Sequence, residues 1–140
     1  MNTKDIISLI SNIRNSANKF IISEMDSNGM NGLAPSHGDI ISALLENERL
    51  TMKGLTEKIS KDKSTVTALI NKLVKLGYVE KIKDINDNRT IFVELTEKGR
   101  KLESVFFKIS DNLISKVYKD IPENERKEVV RILKKIKNNF

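Results

Sequence analysis

Residues 51–99 read TMKGLTEKIS KDKSTVTALI NKLVKLGYVE KIKDINDNRT IFVELTEKG. Thr51 has the chemistry of a helix cap, and Leu55 and Ile59 then face inward on a helix of about 51–60. Gly54 stands where a capping box would place Glu or Gln, which weakens this helix start by up to about 1 kcal/mol against alanine. Ser60-Lys61-Asp62 turns the chain, and Asp62 caps a second helix of roughly 63–76. Val66, Leu69, Ile70 and Leu73 form its apolar face. Gly77 ends it, because glycine takes the left-handed cap conformation at little cost. Tyr78–Lys83 and Thr90–Leu95 alternate as strands. The intervening Asp84–Arg89 is too long for a two-residue hairpin and predicts a protruding wing. Helix, turn, helix and winged hairpin in this order make a winged helix-turn-helix, a shape that holds double-stranded DNA.

Outward from this core the chain is helical. Ile6, Ile10, Ile13, Ala17, Phe20, Ile21 and Met25 recur at spacings of three and four over residues 3–27, and Asn28-Gly29 breaks the pattern. Ser36 is the expected cap of the next helix, which buries Ile40, Ile41, Leu44 and Leu45. Thr96 starts a long helix over 97–118 with a stripe of Leu102, Val105, Phe106, Ile109, Leu113 and Val117. At 1.5 Å per residue it spans about 33 Å, too long for so small a module to cover. Pro122 fits the first turn of a last helix, whose stripe is Val129, Leu133, Ile136 and Phe140. The expected class is mainly α with a small β-wing. Residues 36–97 form the winged region, and residues 1–35 and 98–140 form a helical dimerisation region of the same continuous fold. Each outer helix has a stripe to bury, which a symmetric homodimer satisfies.

Composition sets the limits. The 140 residues carry a formal net charge of +6 and no cysteine. From Lys53 to Arg100 there are 11 Lys/Arg against 7 Asp/Glu, so the central third holds most of the positive excess. Without cysteine, thiol catalysis, thiolate zinc sites, disulfides and cysteine-based oxidant sensing are excluded. His37 is the only histidine, so no histidine zinc cluster can form, and its place at a helix start suits a capping role. No nucleophile–base pair and no phosphate-binding glycine loop is present, so neither catalysis nor a cofactor is expected. The N-terminal stripe is interrupted by Asp5, Arg14, Lys19 and Glu24, which argues against a signal peptide or membrane span and for a cytoplasmic protein.

The polar face of the second helix of the motif carries Lys63, Ser64, Thr65, Thr67, Ala68, Asn71 and Lys72. Short hydroxyl side chains allow close approach to base edges, Ala68 can touch a thymine methyl, and Asn71 can pair with adenine or hold a phosphate. The lysines suit phosphates. No arginine lies on this helix, so guanine's strongest partner is missing there. On the wing, Lys81 and Lys83 line the strand, and Arg89 can enter a narrow minor groove with Asp87 holding its guanidinium.

The run KDKSTVTALINKLVKLGYVEK, followed by Asp87-Asn88-Arg89 and by Leu95-Thr96-Glu97-Lys98-Gly99, resembles the MarR family of bacterial regulators over essentially the whole chain. The resemblance implies a homodimer in which the first and the last two helices intertwine. It implies recognition helices in successive major grooves of a pseudo-palindromic operator, and Arg89 in a flanking minor groove. It also implies repression of transcription, relieved by a small aromatic or anionic effector between the dimer helices and the winged module. No residue of the chain announces the effector pocket. Many relatives have arginine where this chain has Ala68, and proline and a further arginine where it has Ile85 and Asn88. The departure at Ala68 motivates the competing reading, a winged-helix protein-interaction module without specific DNA binding. The two differ in salt dependence, because DNA binding releases counterions.

Overall fold

The computed structural model describes residues 2–140. A short 3-10 turn over Thr3–Asp5 leads into α1 (Ile6–Ser27), which is followed by α2 (Pro35–Glu46), β1 (Leu50–Thr51), α3 (Met52–Ile59) and α4 (Lys63–Lys75). Then come β2 (Val79–Lys83), β3 (Ile91–Leu95), α5 (Glu97–Arg100), α6 (Glu103–Val117) and α7 (Glu123–Asn138). The helix-turn-helix is α3 and α4, and the wing is the hairpin of β2 and β3. The sheet is antiparallel in the order β1-β3-β2, with Leu50 opposite Val93 and Val79 opposite Leu95. The strand β1 was not expected; two residues are too short to carry a periodicity, and they become a strand only because β3 supplies the partner.

The helix starts follow local chemistry. The hydroxyl of Thr51 accepts the Gly54 amide at 2.9 Å, and the carboxylate of Asp62 accepts the Thr65 amide at 2.7 Å. At α2 the expectation fails. Ala34 is the cap position, Pro35 opens the helix, and Ser36 lies inside the first turn. An alanine has no acceptor to offer, and the gap is met from the other side: Nδ1 of His37 accepts the Ala34 amide at 2.8 Å. Pro122 likewise stands one residue earlier than expected, at the cap of α7.

The core is built from α2, α3, α4 and the sheet. Ile40, Ile41, Leu44, Leu55, Val66, Ile70, Leu73, Val79 and Val93 are fully buried, joined by Met25 from the end of α1 and Ile109 from α6. Leu45 and Leu69 pack at its margin. The long helix expected over 97–118 is interrupted. After α5 the amide of Leu102 bonds to Gly99 rather than to a residue four back, and the helix resumes at Glu103. The first of the two pieces lies close against the hairpin: a Cβ on Gly99 would lie 2.1 Å from the Tyr78 carbonyl oxygen. This first turn is pinned to the sheet, while α6 follows α1.

The outer helices leave apolar surface uncovered in the protomer. Ile7 of α1 is 63% exposed, Ile13 54%, and Leu133 of α7 44%. The last helix buries no residue at all. Its direction is set at an elbow, where Asp120 takes a left-handed conformation with φ of 61°. There Arg126 donates from Nε to the Ile121 carbonyl at 2.7 Å and from Nη2 to the Tyr118 carbonyl at 3.1 Å. Among the described residues no helix is long and apolar enough to cross a membrane.

Candidate nucleic-acid interface

The candidate face is assembled from α4 and the wing. Asp62 orders its first turn. Hydrogen bonds from Thr65 and Ser64 hold the Asp62 carboxyl below the usual carboxylate range, so it stays ionised at neutral pH. Ser64 donates its hydroxyl to Asp62 at 3.0 Å, and Thr67 donates back to the Lys63 carbonyl at 2.8 Å. Both hydroxyl protons are therefore committed within the helix, and the oxygens face outward as acceptors. Lys63, Ser64, Thr67, Ala68 and Asn71 line one shallow face of α4. Lys63, Thr67, Lys81 and Arg89 line the adjoining groove between α4 and the wing.

The wing has a defined tip. The amide of Thr90 closes a turn onto the Asp87 carbonyl at 3.0 Å, and the amide of Asp84 bonds to the Thr90 carbonyl at 3.0 Å. The Asp87 carboxylate accepts the Arg89 amide at 3.0 Å, the Arg89 Nε at 3.4 Å and the Thr90 hydroxyl at 3.2 Å. The Arg89 backbone amide, then its guanidinium, hold the Asp87 carboxyl below its ordinary range. The Arg89 side chain is nonetheless 94% exposed. It is aimed by Asp87 and free to meet an anion. Lys83 is exposed on the same strand, with no ion-pair partner among the described residues.

Two lysines depart from the simple picture. The Lys72 ammonium bonds to the Gly32 carbonyl, in the loop between α1 and α2. It is thereby drawn from the groove face toward the α1–α2 loop. Lys81 reaches across from β2 and donates to Asn71 Oδ1 at 2.6 Å. The structure adds Lys53 and Thr56 of α3 to the groove beside Arg89. A polar residue on the outside of a short helix carries no signal of its own in sequence, and only the packing of α3 against α4 brings it there.

His37 is buried at the start of α2. Burial, then the nearby charge of Lys72, push its imidazole below the ordinary value. Among the described residues no cluster of His, Asp and Glu is arranged to hold a metal ion.

The profile of the MarR family matches residues 31–90, the span from the α1–α2 loop to the wing. The HTH-type transcriptional regulator SarZ of Staphylococcus haemolyticus (strain JCSC1435) is 33% identical over 102 residues, covering 72% of this chain and 68% of that protein. The chain belongs to the MarR family. The MarR transcriptional regulator from Methanosarcina mazei Go1 superimposes with a TM-score of 0.84 at 26% identity, over 98% of this chain and 96% of the other. A mutant MarR from E. coli, solved in complex with operator DNA, shares the fold with a TM-score of 0.83 at 19% identity, over 97% and 99% of the two chains. This MarR-family chain is thus a winged helix-turn-helix transcriptional regulator with a mainly helical fold and a small sheet, as its residues predicted.

Proposed function

We propose that this MarR-family regulator is a homodimer that binds double-stranded DNA with sequence preference, represses transcription from the promoters it occupies, and is released by a small aromatic or anionic effector. It is a cytoplasmic binding protein and not an enzyme. The observation that carries the reading is the convergence of Lys63, Thr67, Lys81 and Arg89 on one groove between the recognition helix and the wing. The exposed Arg89 at the wing tip fits the minor groove while α4 enters the major groove. Ser64, Thr65, Thr67, Ala68 and Asn71 meet base edges and nearby phosphates, and Lys63, Lys81 and Lys83 neutralise phosphates. Asp87 positions Arg89. Lys72 joins the interface only by leaving the Gly32 carbonyl. Residues 1–35 and 98–140 supply the dimer contacts, and residues 36–97 supply the DNA-facing region. Two-fold symmetry then calls for an inverted repeat with half-sites about one helical turn apart.

The test is fluorescence anisotropy with the DNA upstream of this protein's own gene, a scrambled duplex as control and a salt series. Wild type is expected to prefer the upstream DNA and to weaken steeply with salt. Arg89→Ala is expected to lose several-fold or more in affinity. Unchanged binding by Arg89→Ala would sink the wing assignment. No binding by wild type at low salt would favour the protein-interaction module, and equal weak binding to both duplexes would place the operator elsewhere.

A further inference from the structure

Asn71 and Lys81 meet from two different elements. Asn71 lies on the exposed face of α4 beside Thr67 and Ala68. Lys81 comes from the middle of β2, where alternation places Val79, Lys81 and Lys83 on one face. Val79 is buried in the core. Lys81, two residues further out, therefore extends past the core toward the recognition helix, and its Nζ stands 2.6 Å from Asn71 Oδ1.

An ammonium has only donors, so the atom it faces must be the amide oxygen. The orientation of the Asn71 amide is thereby assigned: the oxygen points to the wing, and the NH2 group is left for the groove. Asparagine reads adenine with both ends, accepting from N6 and donating to N7. An amide whose oxygen is held by a cation offers the groove donors. Donors match acceptor edges: guanine N7 and O6, thymine O4, and the N7 of either purine.

We propose that Lys81 is a specificity-determining residue of the DNA interface, which holds the Asn71 oxygen toward the wing and makes Asn71 a donor-only reader that selects acceptor-rich base edges over adenine's donor–acceptor pair. This rests on the DNA-binding reading above. It gives Lys81 a role beyond phosphate neutralisation. It also couples the wing to base choice in the neighbouring major groove.

Binding-site selection from random-sequence duplex DNA tests it, with wild type, Lys81→Met, Asn71→Ala and the double variant. Methionine keeps the length of the lysine stem and removes the donor. The position read by Asn71 is the one whose preference Asn71→Ala erases. There, Lys81→Met is expected to gain preference for adenine by about fivefold or more, the discrimination of a newly available bidentate pair. The double variant should lose that gain. Removing a charge that only neutralises phosphate weakens binding to all sequences alike and cancels in the ratio. The same base chosen by wild type and Lys81→Met would overturn the inference, as would a preference that Asn71→Ala leaves intact at every position. If wild type selects no sequence at all, the DNA-binding reading itself falls and takes this inference with it.

Discussion

The Asp87 carboxylate does two things at the wing tip: it orders the turn through the Arg89 amide and the Thr90 hydroxyl, and it holds the exposed Arg89 side chain. Both groups are on the surface, and an exposed ion pair contributes little to stability. Asp87→Ala is expected to lower the urea midpoint only slightly, by the loss of exposed turn hydrogen bonds, and to weaken DNA binding in the same direction as Arg89→Ala, but less. A large drop in stability would assign the pair to the fold instead. Gly99 is the opposite case. Any side chain there would collide with the Tyr78 carbonyl. Backbone cannot move aside as a flexible side chain can, so Gly99→Ala is expected to cost at least about 2 kcal/mol in denaturant unfolding. A cost near zero would mean that the contact between α5 and the hairpin yields freely.

At the scale of elements, two polar contacts stand at the loop between α1 and α2 and the start of α2. His37, the third residue of α2, accepts the Ala34 amide of its own helix cap, and Lys72 ties α4 to the Gly32 carbonyl. The cap works only while Nδ1 is unprotonated, since an imidazolium has no acceptor. The folded-state value of His37 is lowered, chiefly by burial and then by Lys72. The unfolded chain therefore takes up the proton first as pH falls. Its contribution to stability is full above about pH 6.5 and is lost as pH drops from there toward the lowered folded value. Urea unfolding is expected to show a lower midpoint at pH 5.5 than at pH 7.5, and His37→Gln should flatten that difference. An equally steep dependence in His37→Gln would move the source to other groups.

At the scale of the whole molecule, α1, α6 and α7 form a frame whose apolar faces the protomer does not cover. Ile6, Ile7, Leu9, Ile10 and Ile13 on α1, and Val129, Val130, Ile132 and Leu133 on α7, are all exposed. Patches of this kind mark an interface, and burying one such side chain contributes about 1.5–3 kcal/mol. A second copy is the occupant expected from family and symmetry. Leu133→Glu should therefore shift the mass measured by analytical ultracentrifugation from dimer to monomer. It should also weaken operator binding, although the residue is remote from the DNA-facing groove. A variant that stays dimeric would place α7 outside the interface.

How much was legible in the sequence follows from the range of each signal. Caps, breakers and periodicity act within about four residues, so the caps at Thr51, Asp62 and Thr96, the stop at Gly77, and the hairpin from Val79 to Leu95 could be read directly. The Asp87–Arg89 pair was legible for the same reason, with its members two residues apart. The sequence by itself thus determined the winged helix-turn-helix and the residues of its polar face. Tertiary structure alone decided the strand β1, the break between α5 and α6, the replacement of a Ser36 cap by His37, and the partners of Lys72 and Lys81. A lysine is long enough to reach a phosphate, a carbonyl or an amide with equal ease. Which it meets depends on where packing puts a residue 40 positions away in one case and 10 in the other, and no local pattern of side chains encodes that distance.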